Sequence, residues 1–129
     1  MENDLKPGIT KTSGKMVRFD DTAARHGSGL IEVFATPALV ELMENTAQLS
    51  TQPYLPEGCL TVGTEINVKH IKATPVGMEV FCESTLTAVE GKKLIFDIKA
   101  WDEKGDIGIA THMRYIVDRK KFMENLASQ

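Results

Sequence analysis

The stretch Thr36-Pro37-Ala38-Leu39-Val40-Glu41-Leu42-Met43-Glu44-Asn45-Thr46-Ala47-Gln48-Leu49-Ser50-Thr51 decides the fold. Thr is a good N-cap and Pro is favoured at the first helical position, so Thr36-Pro37 marks a helix start. Over residues 37–51, Leu39, Leu42, Met43, Thr46, Ala47 and Ser50 recur at helical spacing and form one largely apolar stripe, with small residues toward its end. A helix with that stripe has to be embedded in other structure. Pro53 and Pro56 prevent its continuation, because each removes a donor and biases its predecessor toward extended backbone, so residues 52–58 are a connector.

Beyond the connector the period changes from helical to two. Val62, Thr64, Ile66, Val68 and His70 fall on one face of a strand, expected to meet the helix, and Gly63, Glu65, Asn67 and Lys69 fall on the other. A turn at residues 73–77 leads to a strand over 79–89. Glu90-Gly91-Lys92 then turns the chain into a strand over 93–101, making a hairpin. Residues 102–106, with Gly105, form a second hairpin loop before a strand over 107–117 and a short polar helix from about Arg119. Upstream, residues 16–19 read as a short strand, and residues 20–30 as a polar, glycine-containing loop able to cover a site. One strand, one helix and four strands in succession suit an α+β fold, a long central helix wrapped by an antiparallel sheet, rather than an alternating parallel fold. That is the hotdog arrangement.

A chain of 129 residues is long enough for one self-sufficient core, so residues 1–129 are read as a single domain. Fifteen Lys and Arg against 18 Asp and Glu give a net charge of -3, which implies no general attraction to nucleic acid or to an anionic membrane. The opening MENDLKPGIT is charged where a signal peptide needs an apolar run, and nothing approaches the roughly 18 apolar residues of a membrane span. A cytoplasmic protein is expected. Cys59 and Cys82 lack metal spacing and read as reduced structural thiols, and His26, His70 and His112 form no HExxH or paired-ligand pattern. With no metal expected, chemistry falls to ordinary side chains.

The runs Glu32-Val33-Phe34-Ala35-Thr36-Pro37, Leu42-Met43-Glu44, Pro53-Tyr54-Leu55 with Gly58, and Thr61-Val62-Gly63-Thr64 leading to Val68-Lys69-His70 come in an informative order. They are followed by Ala73-Thr74-Pro75-Val76-Gly77, Val89-Glu90-Gly91-Lys92 and Thr111-His112-Met113-Arg114. Over about residues 32–122 this order resembles the fluoroacetyl-CoA thioesterase family of hotdog acyl-CoA thioesterases. The resemblance implies hydrolysis of an acyl-CoA, with a short acyl group. It also implies a catalytic set of Thr36, Glu44 and His70, with Gly63 and Arg114 at substrate-binding positions. It implies no cofactor beyond the coenzyme A of the substrate, and a homodimer with active sites at the interface. Family members carry lid phenylalanines upstream, whereas residues 20–31 here contain no aromatic residue.

The residue types suit that chemistry. A thioester carbonyl needs an attacking oxygen, a base for its proton and donors for the developing oxyanion. His70 ends the helix-facing side of its strand, where burial favours the neutral imidazole a base must be; the competing reading is an ordinary core histidine. Glu44 borders the embedded stripe and suits the orientation of an imidazole, or else is a solvated helix-face carboxylate. Thr36 has two competing jobs, an N-cap worth about 1 kcal/mol or a group facing substrate and His70, either as nucleophile or as the holder of an attacking water. Backbone N–H groups at residues 37–39 and at Gly63 are the natural oxyanion donors. Arg114 suits a carboxylate or the ligand, or a plain surface ion pair. Eight helical residues separate Thr36 from Glu44 by about 12 Å, so His70 bridges them or a second subunit supplies one of the three. The rival functions are a hotdog enoyl-CoA hydratase or dehydratase, and a non-catalytic acyl-CoA-binding domain.

Overall fold

The computed structural model describes residues 5–129; the first four residues of the charged N-terminal stretch lie outside the described residues. The chain runs β1 (Thr10–Met16), a helical turn α1 (Ala23–His26), α2 (Thr36–Thr51), β2 (Cys59–His70), β3 (Glu79–Glu90), β4 (Lys93–Asp102), β5 (Gly105–Asp118) and α3 (Arg119–Ala127). The five strands form one antiparallel sheet in the order β1-β3-β4-β5-β2, which leaves the 12-residue β2 at an edge. One helix lying on one antiparallel sheet is the α+β hotdog arrangement expected from the element order.

Helix α2 buries Ala38, Leu39, Met43, Thr46, Ala47, Ser50 and Thr51, nearly the stripe that periodicity picks out; Leu42 is only partly buried. Thr46 Oγ1 donates to the Leu42 carbonyl and Ser50 Oγ to that of Ala47, so the burial of these two leaves neither hydroxyl stranded, whereas the buried Thr51 Oγ1 has no hydrogen-bond partner. Opposite lie Val80, Cys82 and Leu86 of β3, Leu94, Phe96, Ile98 and Ala100 of β4, and Ile107, Ala110 and Ile116 of β5. Burying a side chain such as Leu39 or Met43 in that layer contributes about 1.5–3 kcal/mol. The approach is close: a Cβ on Gly108 would stand 3.0 Å from Leu39 Cδ2 and 3.1 Å from the Lys69 carbonyl, so a side chain there would force Leu39 or the strand to give by a few tenths of an ångström.

Three expectations need correction. The first strand is residues 10–16, not 16–19. Val17 leaves the ladder to enter the core, and residues 19–21 form a 3-10 turn bonded by the Asp21 carboxylate, which accepts from the Arg18 N–H. The polar loop after it holds a turn of helix, capped by Thr22 Oγ1 and ended by Gly27 in the left-handed region. Third, β2 does not alternate strictly. Its register against β5 shifts between Gly63 and Glu65, so Thr61 and Gly63 pair with the buried Ile116 and Arg114 and share a face with Ile66, Val68 and His70. Val62 and Thr64 do not belong to that face.

The loop after β2 is anchored by one buried carboxylate. Asp102 accepts from Thr74 Oγ1 at 2.9 Å, Lys72 Nζ at 3.2 Å and the Lys104 N–H at 2.8 Å, and the Thr74 carbonyl in turn accepts from the Phe34 N–H. Burial pushes the Asp102 carboxyl upward, but the Lys104 amide, Thr74 hydroxyl and Lys72 ammonium outweigh it and hold the group below the ordinary carboxylate value. A carboxyl lowered on folding stabilises above its unfolded pKa and loses that contribution as pH falls through the folded one. Asp102→Asn is therefore expected to destabilise the fold by about 1–3 kcal/mol at pH 7 and by less at pH 3 in denaturant titrations.

Candidate active site

Thr36 is the first residue of α2, and Ala35, with extended backbone, is the N-cap; no side chain caps the helix. The Thr36 hydroxyl is thereby free for its other job, and its Oγ1 lies 2.8 Å from His70 Nδ1 at the end of β2. Helix start and strand end meet there because Leu39 packs on Gly108, the residue paired with His70. The His70 ring is edge-on to Phe34, centroids 6.4 Å apart, and its Nε2 is buried without a hydrogen-bond partner. Burial lowers the His70 pKa below the ordinary 6.5, and the Lys72 backbone opposes this only in part. A lowered pKa favours the neutral imidazole at pH 7, and in its Nε2–H tautomer Nδ1 can accept the Thr36 proton. Among residues 37–39, Pro37 has no N–H and Leu39 donates to the Ala35 carbonyl, which leaves Ala38 N–H as the amide without a backbone acceptor there.

This pair opens into a cavity of about 480 Å³ lined by Ala23, Ser28, Gly29, Ile31, Val33 and Phe34 beside Thr36 and His70. Of the loop over residues 20–30, Ala23, Ser28 and Gly29 line this cavity. At the rim Leu30 is 98% and Ile31 62% exposed.

Glu44, Gly63 and Arg114 gather elsewhere. Arg114 is buried, its Nε donating to Thr61 Oγ1 at 2.8 Å and an Nη2 proton to the Thr61 carbonyl at 3.0 Å, while Nη1 faces His112 Nε2 at 3.2 Å. It forms no ion pair among the described residues. Glu44 is half-buried; its Oε2 would stand 3.3 Å from a Cβ on Gly63, and Arg114 Nη1 3.2 Å from it. The expected set of five is therefore split within one chain. Thr36 and His70 are bonded, Glu44, Gly63 and Arg114 surround one point, and no contact joins Glu44 to His70. Reading Arg114 as a surface ion pair is ruled out by its burial.

Sequence reasoning gave no role to His112, which is 1% exposed at the centre of the second group. Its Nδ1 donates to the Glu65 carbonyl at 2.7 Å, so Nε2 carries the lone pair that faces Arg114. Burial lowers its pKa; the bond to the Glu65 carbonyl opposes this in part, and the Arg114 charge, lowering, and Glu44, raising, act more weakly. The available signal was its two-residue spacing from Arg114, which places both on one strand face.

A hotdog domain with a hydroxyl–imidazole pair at the helix start defines a class, and comparison narrows it. Residues 17–120 match the fluoroacetyl-CoA-specific thioesterase family, and the chain belongs to that family. It is 41% identical over 91 residues to the fluoroacetyl-CoA thioesterase of Streptantibioticus cattleyicolor, covering 70% of this chain and 66%, just under two thirds, of that protein. A solved structure of a fluoroacetyl-CoA thioesterase, 31% identical, superposes with a TM-score of 0.89 over 97% of each chain. A mutant of such an enzyme, solved in complex with fluoroacetate and CoA, is 33% identical with a TM-score of 0.85 over 92% of this chain and 99% of that one. A hot-dog-like protein from Thermanaerovibrio acidaminovorans is 25% identical, with a TM-score of 0.88 over 95% of this chain and 90% of its own.

Gly63→Ala tests the second group. The new methyl would meet Arg114 Nη1, Glu44 Oε2 and His112 Cε1 at 3.2–3.3 Å, and those movable ends yield by a few tenths of an ångström. Turnover of acyl-CoA is expected to fall by about 10-fold or more while the melting temperature stays within a few degrees, as judged by thiol release and thermal unfolding.

Proposed function

We propose that this chain is an acyl-CoA thioesterase that hydrolyses a short-chain acyl-CoA to the free acid and coenzyme A as a homodimer with composite active sites. The observation that carries the reading is the 2.8 Å contact between Thr36 Oγ1 and the Nδ1 of a half-buried His70 whose pKa is lowered. His70 accepts the Thr36 proton as Oγ1 attacks the thioester carbonyl, and the Ala38 N–H at the positive end of α2 supports the oxyanion. His70 returns the proton to the departing CoA sulfur, and water then hydrolyses the acyl-Thr36 ester. A hydratase needs no attacking hydroxyl, and a binding domain needs no base, so this pair favours hydrolysis. The cavity beside it suits a short acyl group.

The second group takes its place through the partner. Gly63 and His70 lie seven residues apart on the free edge of β2, about 20 Å along a strand. Antiparallel pairing of two β2 edges about a two-fold axis midway between them sets each His70 opposite the partner subunit's Gly63. The partner's Glu44 and the partner's Arg114 then face the Thr36–His70 pair across the substrate. Arg114 has five N–H groups and three bonded contacts, so its charge is available to the oxyanion or the product carboxylate.

Thiol release from acyl-CoAs of graded length, fluoroacetyl-CoA included, is expected from the wild type and to fall by about 10²–10⁴-fold in His70→Ala. Thr36→Ser retains hydrolysis and Thr36→Val does not. Because His70 works neutral and its pKa is lowered, the acid limb of kcat/KM falls below pH 6.5; a limb above that value contradicts a partly desolvated base. No release from any substrate sinks the reading.

Mixed dimers test the composite site. Co-refolding inactive His70→Ala with inactive Glu44→Gln rebuilds one intact site per heterodimer, so about a quarter of wild-type activity returns on random pairing. If each site were built within one chain, the mixture would stay dead.

A further inference from the structure

We propose that His112 is a positioning residue of this thioesterase, its neutral imidazole fixing the guanidinium of Arg114 and the backbone at Gly63 in one arrangement. The inference rests on the thioesterase reading and deepens it. Two bonds of opposite sense carry it. On one side His112 Nδ1 donates to the carbonyl of Glu65, at the register shift where β2 leaves regular pairing with β5. On the other side Nε2 accepts from Arg114 Nη1. The ring thus ties the shift, and Gly63 just before it, to the cation. Gly63 shows how tightly: a Cβ there would meet Arg114 Nη1, Glu44 Oε2 and His112 Cε1 together.

The surroundings hold the ring in place. Phe96 of β4 lies tilted against it at 6.0 Å between centroids, Glu44 approaches from α2, and Arg114 follows on its own strand. A buried guanidinium without an ion pair is costly, and three of its contacts, to Thr61 Oγ1, the Thr61 carbonyl and His112 Nε2, are to neutral acceptors. Neutral acceptors orient the group without quenching its charge. A protonated His112 would have no lone pair for Arg114 and would set a second cation against it, so the arrangement requires the neutral ring.

Asn and Gln separate the two bonds. Asn at 112 places an amide near the Nδ1 position and can still donate to Glu65, whereas Gln reaches the Nε2 position and can still accept from Arg114. With thiol release as the assay, His112→Leu and His112→Asn are expected to lower kcat by about 100-fold with KM changed less than about threefold, and His112→Gln to stay within about 10-fold of wild type. Circular dichroism and thermal unfolding establish that each variant is folded; should the Leu variant not fold, the Asn and Gln pair decides. Independently of activity, ring nitrogen shifts of the wild type by NMR at neutral pH are expected to show an Nδ1–H neutral tautomer. Equal activity of the Asn and Gln variants, wild-type turnover in a folded Leu variant, or an Nε2–H or charged ring overturns the proposal. A wild type that hydrolyses no acyl-CoA overturns the thioesterase reading, and the role of His112 with it, which is a different result from an active enzyme indifferent to His112.

Discussion

The closeness of α2 to the sheet is the constraint on which the site depends. Leu39 rests where Gly108 has no side chain, and Gly108 is paired with His70, so the start of the helix and the end of β2 are brought to hydrogen-bonding distance. A side chain at 108 would press on Leu39 and on the Lys69 carbonyl, one residue from His70, and so would strain both sides of the Thr36–His70 contact without touching either residue. Packing in the core and geometry at the surface are here one quantity, because interiors transmit small displacements rather than absorb them.

Much of the fold was legible in the sequence because two periodicities are strong in it. The helical stripe from Leu39 to Ser50 and the turns at Gly91 and Gly105 put α2 and the β3-β4-β5 hairpins within a residue or two of where they lie. The misses have physical causes. Residues 10–16 alternate little between apolar and polar, since β1 is an edge strand with an exposed burial pattern, so the apolar Met16-Val17 drew the strand too far along the chain. The register shift in β2 leaves no mark in composition: Val62 and Thr64 are as suitable for the inner face as Thr61 and Gly63, and the pairing with β5 alone decides between them.

The site was legible in part. Thr36 and His70 were named and stand together, and the choice between capping and facing the imidazole is settled for Thr36 by the helix starting one residue early, with Ala35 as the cap. Glu44, Gly63 and Arg114 were also named, but their separation from the first pair was foreseen only as a distance along the helix. His112 was left without a role because a single histidine in a strand looks like any core residue; what distinguishes it is a carbonyl on one side and a guanidinium on the other, both supplied by tertiary structure.

The register shift between Gly63 and Glu65 also says what kind of sequence change this protein tolerates least. One residue there sets the phase of everything that follows in β2. Taking Thr64 into regular pairing would turn Ile66, Val68 and His70 outward together, exchanging an inner face for an outer one without altering a single one of those side chains, whereas deleting Thr64 would remove the bulge and leave all three inward. Among homologues, the count of residues between Glu65 and His70 should therefore be held more strictly than their identity: a stretch that keeps its count and changes its residues keeps His70 inward, and one that gains or loses a single residue there does not.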